Sequence, residues 1–490
     1  MNIPVPILRK ALLVATRTLP PLNLSPEKQP AEADQPGMPA SVFLPLSHIR
    51  ALRPYAQLVT GVRGAGKTFW TQALQQEAVL KMLLRDVPEL TGFRVIGVHT
   101  HKGHPESCPG PALFSALLKT FRGTDIWRAV LVQALARQPE AVGLCPVAAM
   151  PWQELVPQVA QSPETVNSFL QDLDRRLAQT QTSLMLLFDG LERVADSWKD
   201  SEALTTALLQ DVLSLSGCSR IKAKVFLGED QFQRLFPVCA AHLPATRVPL
   251  FWRQTDLYGL LWNHLCNGPG DSGQLLRALL EQYLPGSLIE EHGVWSLLPA
   301  ATRNDDALRS LFHALTGPVM SRSIWNGTPY VWTVGHLADA RQQTMPRSFL
   351  AAIRRACEDS STNHADADHA LHTDSLRLGV EAATAVRVAE MQEDYPWAVD
   401  LLALLEGRYI PCPFQVVQAL WAERYPQGPG MLMQKYPRHV PPEFATQRWQ
   451  DVREVLDRLG FSMTLLDGRF HMTDLYRVFF GLGRHGGVKP

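Results

Sequence analysis

Residues 61–68 read GVRGAGKT, residue types and a spacing suited to holding a phosphate chain. Gly61, Gly64 and Gly66 let the backbone curl so that successive amide N–H groups face one anion. The run FWTQALQQEAVLKML that follows predicts a helix, whose N-terminus adds partial positive charge. Lys67 can reach the β- and γ-phosphates, and the Thr68 hydroxyl can hold Mg2+. The candidate nucleotide-binding positions are therefore Gly61, Val62, Arg63, Gly64, Ala65, Gly66, Lys67, Thr68 and Phe69. Downstream, LMLLFDGLER ends an apolar run on Asp189, where a carboxylate on the magnesium side of such a site belongs. An ordinary strand-ending acid is the competing reading. Given the loop upstream, Lys67, Asp189 and Glu192 form the candidate catalytic set, with Glu192 orienting or deprotonating the attacking water, and Thr68 and Asp189 are the candidate metal ligands.

These residues need a scaffold, and the chain from Ala56 to Phe251 predicts one. Short apolar runs (AQLVTGV, FRVIGV at 93–98, SLMLLF at 183–188, AKVFLG at 223–228, TRVPLF at 246–251) alternate with helical stretches, the pattern of a parallel sheet covered by helices. One run separates the loop-bearing strand from the Asp189 strand in sequence, which implies the additional-strand class of P-loop ATPases. A helical insertion occupies about 99–180. The fourth run ends as VFLGEDQF, with Glu229 and Asp230 at its tip. The expected fold is thus an α/β P-loop NTPase core at 41–252, followed by an α-helical lid at 253–360 and a winged-helix-like domain at 375–490. Residues 1–40 read as an apolar segment and a flexible linker; the segment either docks on this chain or on a partner. The polar stretch 358–374 reads as a linker or exposed turn. The terminal unit is drawn from helical periodicity in 376–406 and 413–424 and a helix at about 443–459. FSMTLL, the turn DGR at 467–469 and FHMT then make a hairpin.

Composition narrows the function classes. The chain has 490 residues, 46% hydrophobic and 19% charged, which excludes global disorder. Lys plus Arg equals Asp plus Glu at 47 each, so any nucleic-acid contact must come from a local patch. The seven cysteines (Cys108, Cys145, Cys218, Cys239, Cys266, Cys357, Cys412) form no CxxC pair and read as reduced thiols rather than a disulfide or zinc framework. With neither a signal peptide nor a membrane-spanning run expected, the compartment reads as cytoplasmic.

The loop, the Asp189 strand and the order of core, lid and winged helix together resemble AAA+ or STAND ATPases, the latter being bacterial-type signal-transducing switches. The resemblance covers about 50–490 as architecture and is specific at residue level only in the loop. It implies an ATP- and Mg2+-binding, slowly hydrolysing switch that controls assembly with partner proteins, a second copy of the chain included, with a bacterial antiphage or conflict system as its setting by analogy. Two readings compete with it: a DNA-binding AAA+ loader or remodeller using the winged helix, and a nucleotide-clamped structural subunit with little turnover. STAND proteins carry a pair of acids where this chain has Glu192 and Arg193, which disfavours fast hydrolysis. TMPRSFLAAIRRA resembles the second-sensor pattern of AAA+ lids, with Arg347 as the nucleotide-facing residue, and the resemblance makes Asp230 a candidate polar sensor of the γ-phosphate, with a solvated turn as the alternative. For an arginine finger the resemblance offers Arg234 first, with Arg193, Arg220 and Arg253 as competitors. His99, His101, His104 and Cys108, and separately the 364–372 histidines, lack zinc spacing. The helix ending at 459 carries Arg448, Arg453 and Arg458 against Asp451, Glu454 and Asp457, a balanced rather than basic face.

Overall fold

The computed structural model describes residues 3–19, 42–99, 107–145, 150–195, 197–239, 247–320, 327–437 and 448–484. The linker at 20–40, His101, His104 and the C-terminal Lys489 lie outside them, as does the start of the 443–459 segment. The chain divides into two compact units, a sheet unit at Ser47–Phe251 and a helical unit at Trp252–Pro490 that also includes Phe43–Leu46 and the N-terminal helix.

The sheet unit is built on strands β1 (Leu58–Gly61), β2 (Phe93–His99), β3 (Ser183–Asp189), β4 (Ile221–Gly228) and β5 (Arg247–Pro249). Their spatial order is β2-β3-β4-β1-β5 with every pairing parallel. All seven residues of β3 are buried, because SLMLLF packs apolar side chains toward both faces of a sheet covered by helices. β4 sits between β1 and β3, so the strand that precedes the loop and the strand that ends on Asp189 flank one central strand. This is the strand order of an additional-strand P-loop core. The insertion supplies helices Pro111–Leu117, Gly123–Ala136, Trp152–Gln161 and Pro163–Gln179. Gly123–Ala136 packs on Trp198–Ser214, the helix that follows the Asp189 turn.

In β4, Lys224 is fully buried, and its Nζ donates to the carbonyls of Ala51 (2.6 Å), Arg53 (2.9 Å) and Ala56 (2.6 Å). Three donors meet three acceptors, which is the condition for burying an ammonium group. The segment leading into β1 is thereby pinned to β4.

The helical unit holds its own large core. The N-terminal helix Val5–Thr16 buries Leu8, Ala11, Leu12 and Ala15 and packs on helices Gly270–Tyr283 and Pro346–Asn363. Its Arg9 is buried and donates to the carbonyls of Ala367 (2.8 Å), His369 (2.7 Å), Ala370 (3.3 Å) and Ala365. That turn connects Pro346–Asn363 to Thr373–Asp394, so the polar stretch 358–374 is helical at both ends rather than linker throughout. A hairpin, Leu288–Glu291 with Val294–Leu297, interrupts the region predicted as helical; His292 and Gly293 both take positive φ, 53° and 80°, as its tight turn needs.

Beyond residue 395 the helices Pro396–Ala403, Phe414–Arg424 and Trp449–Leu459 lead into an antiparallel hairpin, Met463–Thr464 with Phe470–His471. Cys412 bridges to Phe470, adding the third strand position of a winged helix. A short helix at Gly430–Lys435 is additional to the expected elements. Asp457 fixes the wing by accepting from the hydroxyls of Ser462 (2.5 Å) and Thr464 (2.6 Å).

Candidate functional site

Gly61 ends β1, and the chain turns through Val62–Gly66 into helix Lys67–Ala73. Two backbone facts make the turn a cradle. Gly66, the residue before the helix, has φ 102° and ψ 19°, a conformation that costs an L-residue strain. A Cβ placed on Gly61 would lie 3.0 Å from the Cβ of Ala65, so a side chain there would crowd the loop. The Val62 carbonyl accepts from the Ala65 N–H (3.1 Å), closing the curl. Lys67 folds back over it, donating from Nζ to the carbonyls of Gly61 (2.8 Å) and Val62 (3.2 Å). Gly64 is exposed at the tip, and Arg63, Lys67, Thr68 and Phe69 are half-buried.

The helix is anchored from behind. Trp70, fully buried, donates its indole N–H to Nδ1 of His48 at 2.9 Å. Accepting that bond requires Nδ1 to be bare, so the ring is neutral with its proton on Nε2. Burial drives the His48 pKa down from 6.5 to about 3, opposed by a backbone hydrogen bond to Phe251. Sequence patterns do not single out His48, because a lone histidine before a strand carries no motif.

Asp189 stands at the carboxyl end of β3, 2% exposed, paired in register with His99 of β2. Its Oδ2 lies 3.2 Å from the hydroxyl of Thr71, which can donate to it. Thr71 lies three residues after Thr68, on the same helix face, and helix and strand pack together. That three-residue offset from the loop is the sequence signal for Thr71, and the phosphate-loop pattern does not contain it. Gly190 then takes φ 81° into a single 3-10 turn, Leu191–Arg193, that carries Glu192 exposed. Loop, Asp189 and Glu192 are thus placed by the ends of β1 and β3 within one unit.

The residues expected to sense the γ-phosphate already have partners. Asp230, in the first turn of helix Glu229–Cys239, accepts from Arg234 at 3.3 Å. Arg234 also donates to Glu202 at 3.1 Å, lies 4.4 Å over the Trp198 ring, and its side chain is only 7% exposed. Arg234, the first of the four finger candidates, is thus paired and stacked within its own unit. Of its competitors, Arg220 lies 3.5 Å from the Ser183 hydroxyl and Arg253 starts the helix Gln254–Cys266, while the side chain of Arg193 is outside the described part of the chain. Glu229 accepts both Arg247 bonds, at 2.6 and 2.7 Å, and Arg247 also donates to Thr60 of β1 at 3.0 Å. In the helical unit, Arg347 begins helix Pro346–Asn363 and donates to Glu390 at 3.2 Å, and the other oxygen of Glu390 accepts from buried Arg387 at 2.9 Å.

The residues present fit a nucleotide with magnesium. A side chain on Gly61 would crowd the loop, which leaves its backbone groups free to face an anion, and the Asp189 carboxylate and the Thr68 hydroxyl are hard oxygen donors of the kind magnesium takes. Among the described residues no cluster of three or more His, Cys, Asp or Glu could hold another metal, and no helix is long and apolar enough to cross a membrane. His364 and His372 instead stack on each other, centroids 3.9 Å apart.

Strand order and loop together define an α/β P-loop nucleotide-binding core of the additional-strand class, followed by helices and a winged-helix-like region. No protein-family model and no curated protein matches the chain. Among solved structures, the Aeropyrum pernix ORC2 protein in its ADPNP-ADP complexes aligns over 94% of this chain and 94% of its own, at 14% identity and TM-score 0.37. The Aeropyrum pernix ORC1 protein in complex with DNA covers 90% and 91% at 15% identity and TM-score 0.36. Cdc6p from Pyrobaculum aerophilum covers 85% and 83% at 10% identity and TM-score 0.28. The class stands on this chain's own topology and loop, not on these alignments.

Proposed function

We propose that the chain is a magnesium-dependent ATPase of AAA+ type that uses its nucleotide state to control binding of another macromolecule. The observation carrying this reading is the loop between β1 and helix Lys67–Ala73, with Asp189 two strand positions away in the sheet. In this reading Lys67 exchanges two neutral carbonyl acceptors for anionic phosphate oxygens, a change from ordinary to charge-assisted hydrogen bonds. The N–H groups of Gly64, Gly66, Lys67 and Thr68 bind the same phosphates, while that of Ala65 closes the curl on Val62, with Arg63 and Phe69 flanking them. Thr68 and Asp189 would hold magnesium, which would supply neutralisation of phosphate charge. Glu192, exposed beside Asp189, orients the attacking water and takes its proton. Asp230 and Arg347 act as sensors of the γ-phosphate once released from Arg234 and Glu390.

For the macromolecule controlled, duplex DNA is the first reading. The winged-helix motif has its wing, with Leu466 fully exposed at the tip. Arg448 at the start of the third helix has a side chain 71% exposed, and Arg469 in the wing 46%. Each pairs with a carboxylate two or three residues away, Asp451 and Asp467 respectively. Ion pairs of such exposed arginines are weak, so exchanging the carboxylate for a DNA phosphate costs little. The second reading is a slow switch controlling partner proteins; the arginine at 193, where a second acid would speed hydrolysis, favours it.

Steady-state ATP turnover of wild type and Lys67→Ala, with and without duplex DNA, tests both. Turnover that DNA stimulates and Lys67→Ala abolishes supports the loader. Slow turnover indifferent to DNA, with nucleotide retained through purification, supports the protein switch. Equal nucleotide binding by wild type and Lys67→Ala would remove the ATPase reading altogether.

A further inference from the structure

Thr71 is a fully buried hydroxyl that touches the candidate metal carboxylate, and the phosphate-loop motif does not include it. Its Oγ1 lies 2.8 Å from the carbonyl of Thr68 and 3.2 Å from Oδ2 of Asp189. A hydroxyl has one proton, so it donates to one of these acceptors at a time. The Thr68 carbonyl is a helix carbonyl, neutral and able to accept from the N–H four residues on, whereas Asp189 brings a carboxylate buried at the tip of β3. A buried carboxylate draws hydrogen-bond donors more strongly than a neutral carbonyl does.

We infer that Thr71 is a positioning residue for magnesium: its hydroxyl holds Oδ2 of Asp189 and so fixes the plane of the carboxylate that, with Thr68, takes the cation. The inference rests on the reading of Asp189 as the metal carboxylate. Because Thr68 and Thr71 sit on one face of the same short helix, the loop that holds the phosphates and the clamp on the carboxylate move as one piece. Any displacement of helix Lys67–Ala73 then changes phosphate and metal binding together.

The test is binding of a fluorescent ATP analogue to the full chain, titrated with Mg2+, beside the same titration in EDTA. Variants are Thr71→Val, which deletes the hydroxyl, Thr71→Ser, which keeps it, and Asp189→Asn, which tests the reading underneath. Removing a partner of a metal ligand costs about 10- to 100-fold in metal affinity. Thr71→Val is therefore expected to raise the Mg2+ midpoint by about tenfold or more while leaving EDTA affinity within about twofold, with Thr71→Ser staying at the wild-type midpoint. A Thr71→Val midpoint at the wild-type value overturns the inference, as does an equal loss in EDTA, which would make Thr71 a support of the loop alone. If Thr71→Val does not fold, Thr71→Ala, which also lacks the hydroxyl, takes its place: a Mg2+ midpoint raised about tenfold with no matching loss in EDTA supports the role, and a midpoint at the wild-type value overturns it. If Asp189→Asn itself leaves the midpoint unmoved, the metal reading of Asp189 fails, and the role of Thr71 fails with it; if only Thr71→Val leaves it unmoved, the positioning role fails alone.

Discussion

Acid should loosen the sheet unit through one residue, His48. Its ring is fully buried, neutral, and accepts the Trp70 indole N–H that anchors the helix after the phosphate loop. The pKa is 6.5 in an unfolded chain and about 3 in the folded one. Between those values the unfolded state binds the extra proton, so the stability His48 contributes is fully present above pH 6.5 and falls as the pH drops toward 3. One proton is worth about 1.4 kcal/mol per pH unit, and the unfolded chain is already half protonated at pH 6.5, so acidification from 6.5 to 4.5 costs about 2 kcal/mol. Asp211 in the same unit is raised by burial to about 7 and acts in the opposite sense, its contribution being lost as the pH rises from 3.8 to about 7. A comparison with His48→Asn cancels it, since asparagine can accept the Trp70 bond but does not titrate. Urea unfolding at a series of pH values, read by pulse hydrogen exchange in peptides from 58–74, isolates this unit from the helical one. Wild type should lose about 2 kcal/mol more than His48→Asn between pH 6.5 and 4.5. Parallel stability profiles for the two proteins over that range would refute the account of a neutral, anchoring histidine.

Arg9→Met should destabilise the helical unit by roughly 2 to 3 kcal/mol, since it strands carbonyls at 367, 369 and 370, whereas Ile7→Ser, 53% exposed on the same helix, should stay within about 0.5 kcal/mol; denaturant midpoints check both. Gly66→Ala has room for its Cβ, the nearest atoms being in Trp70 at 3.8 Å, so its penalty is backbone strain of about 1–2 kcal/mol. It should weaken nucleotide binding in a fluorescence titration while the chain stays folded. Glu390→Gln takes the shared carboxylate from two arginines, one of them buried, and should cost about 3 kcal/mol, more than Arg347→Ala, whose side chain is 25% exposed. Arg347→Ala should lower the preference for ATP over ADP, and equal ratios in wild type and variant would remove Arg347 from the sensor role.

What could be read from the residues alone divides along a physical line. The loop, the five apolar runs and the terminal hairpin announce themselves locally: glycine at fixed spacing, uninterrupted apolar strands, Asp-Gly at a turn. The missing pieces depend on partners distant in sequence. Lys224 inside AKVFLG looks like an outward-facing strand residue, yet its burial is set by three carbonyls at 51–56. The N-terminal helix carries a readable apolar stripe, but only the carbonyls of 365–370 say where Arg9 goes. LIEEHGVWSL conceals a hairpin because its strands have four residues each and a His-Gly turn, too short for a period to stand out. Thr71 is the instructive case between the two. Its spacing from Thr68 is visible, but spacing gives a face of the helix and not what that face meets. Only the strand order, which brings β3 near the loop-bearing helix, turns a threonine on that face into a contact with Asp189. A site built at the ends of parallel strands is therefore legible where one strand and its loop supply the chemistry, and illegible where the sheet order brings in the neighbour.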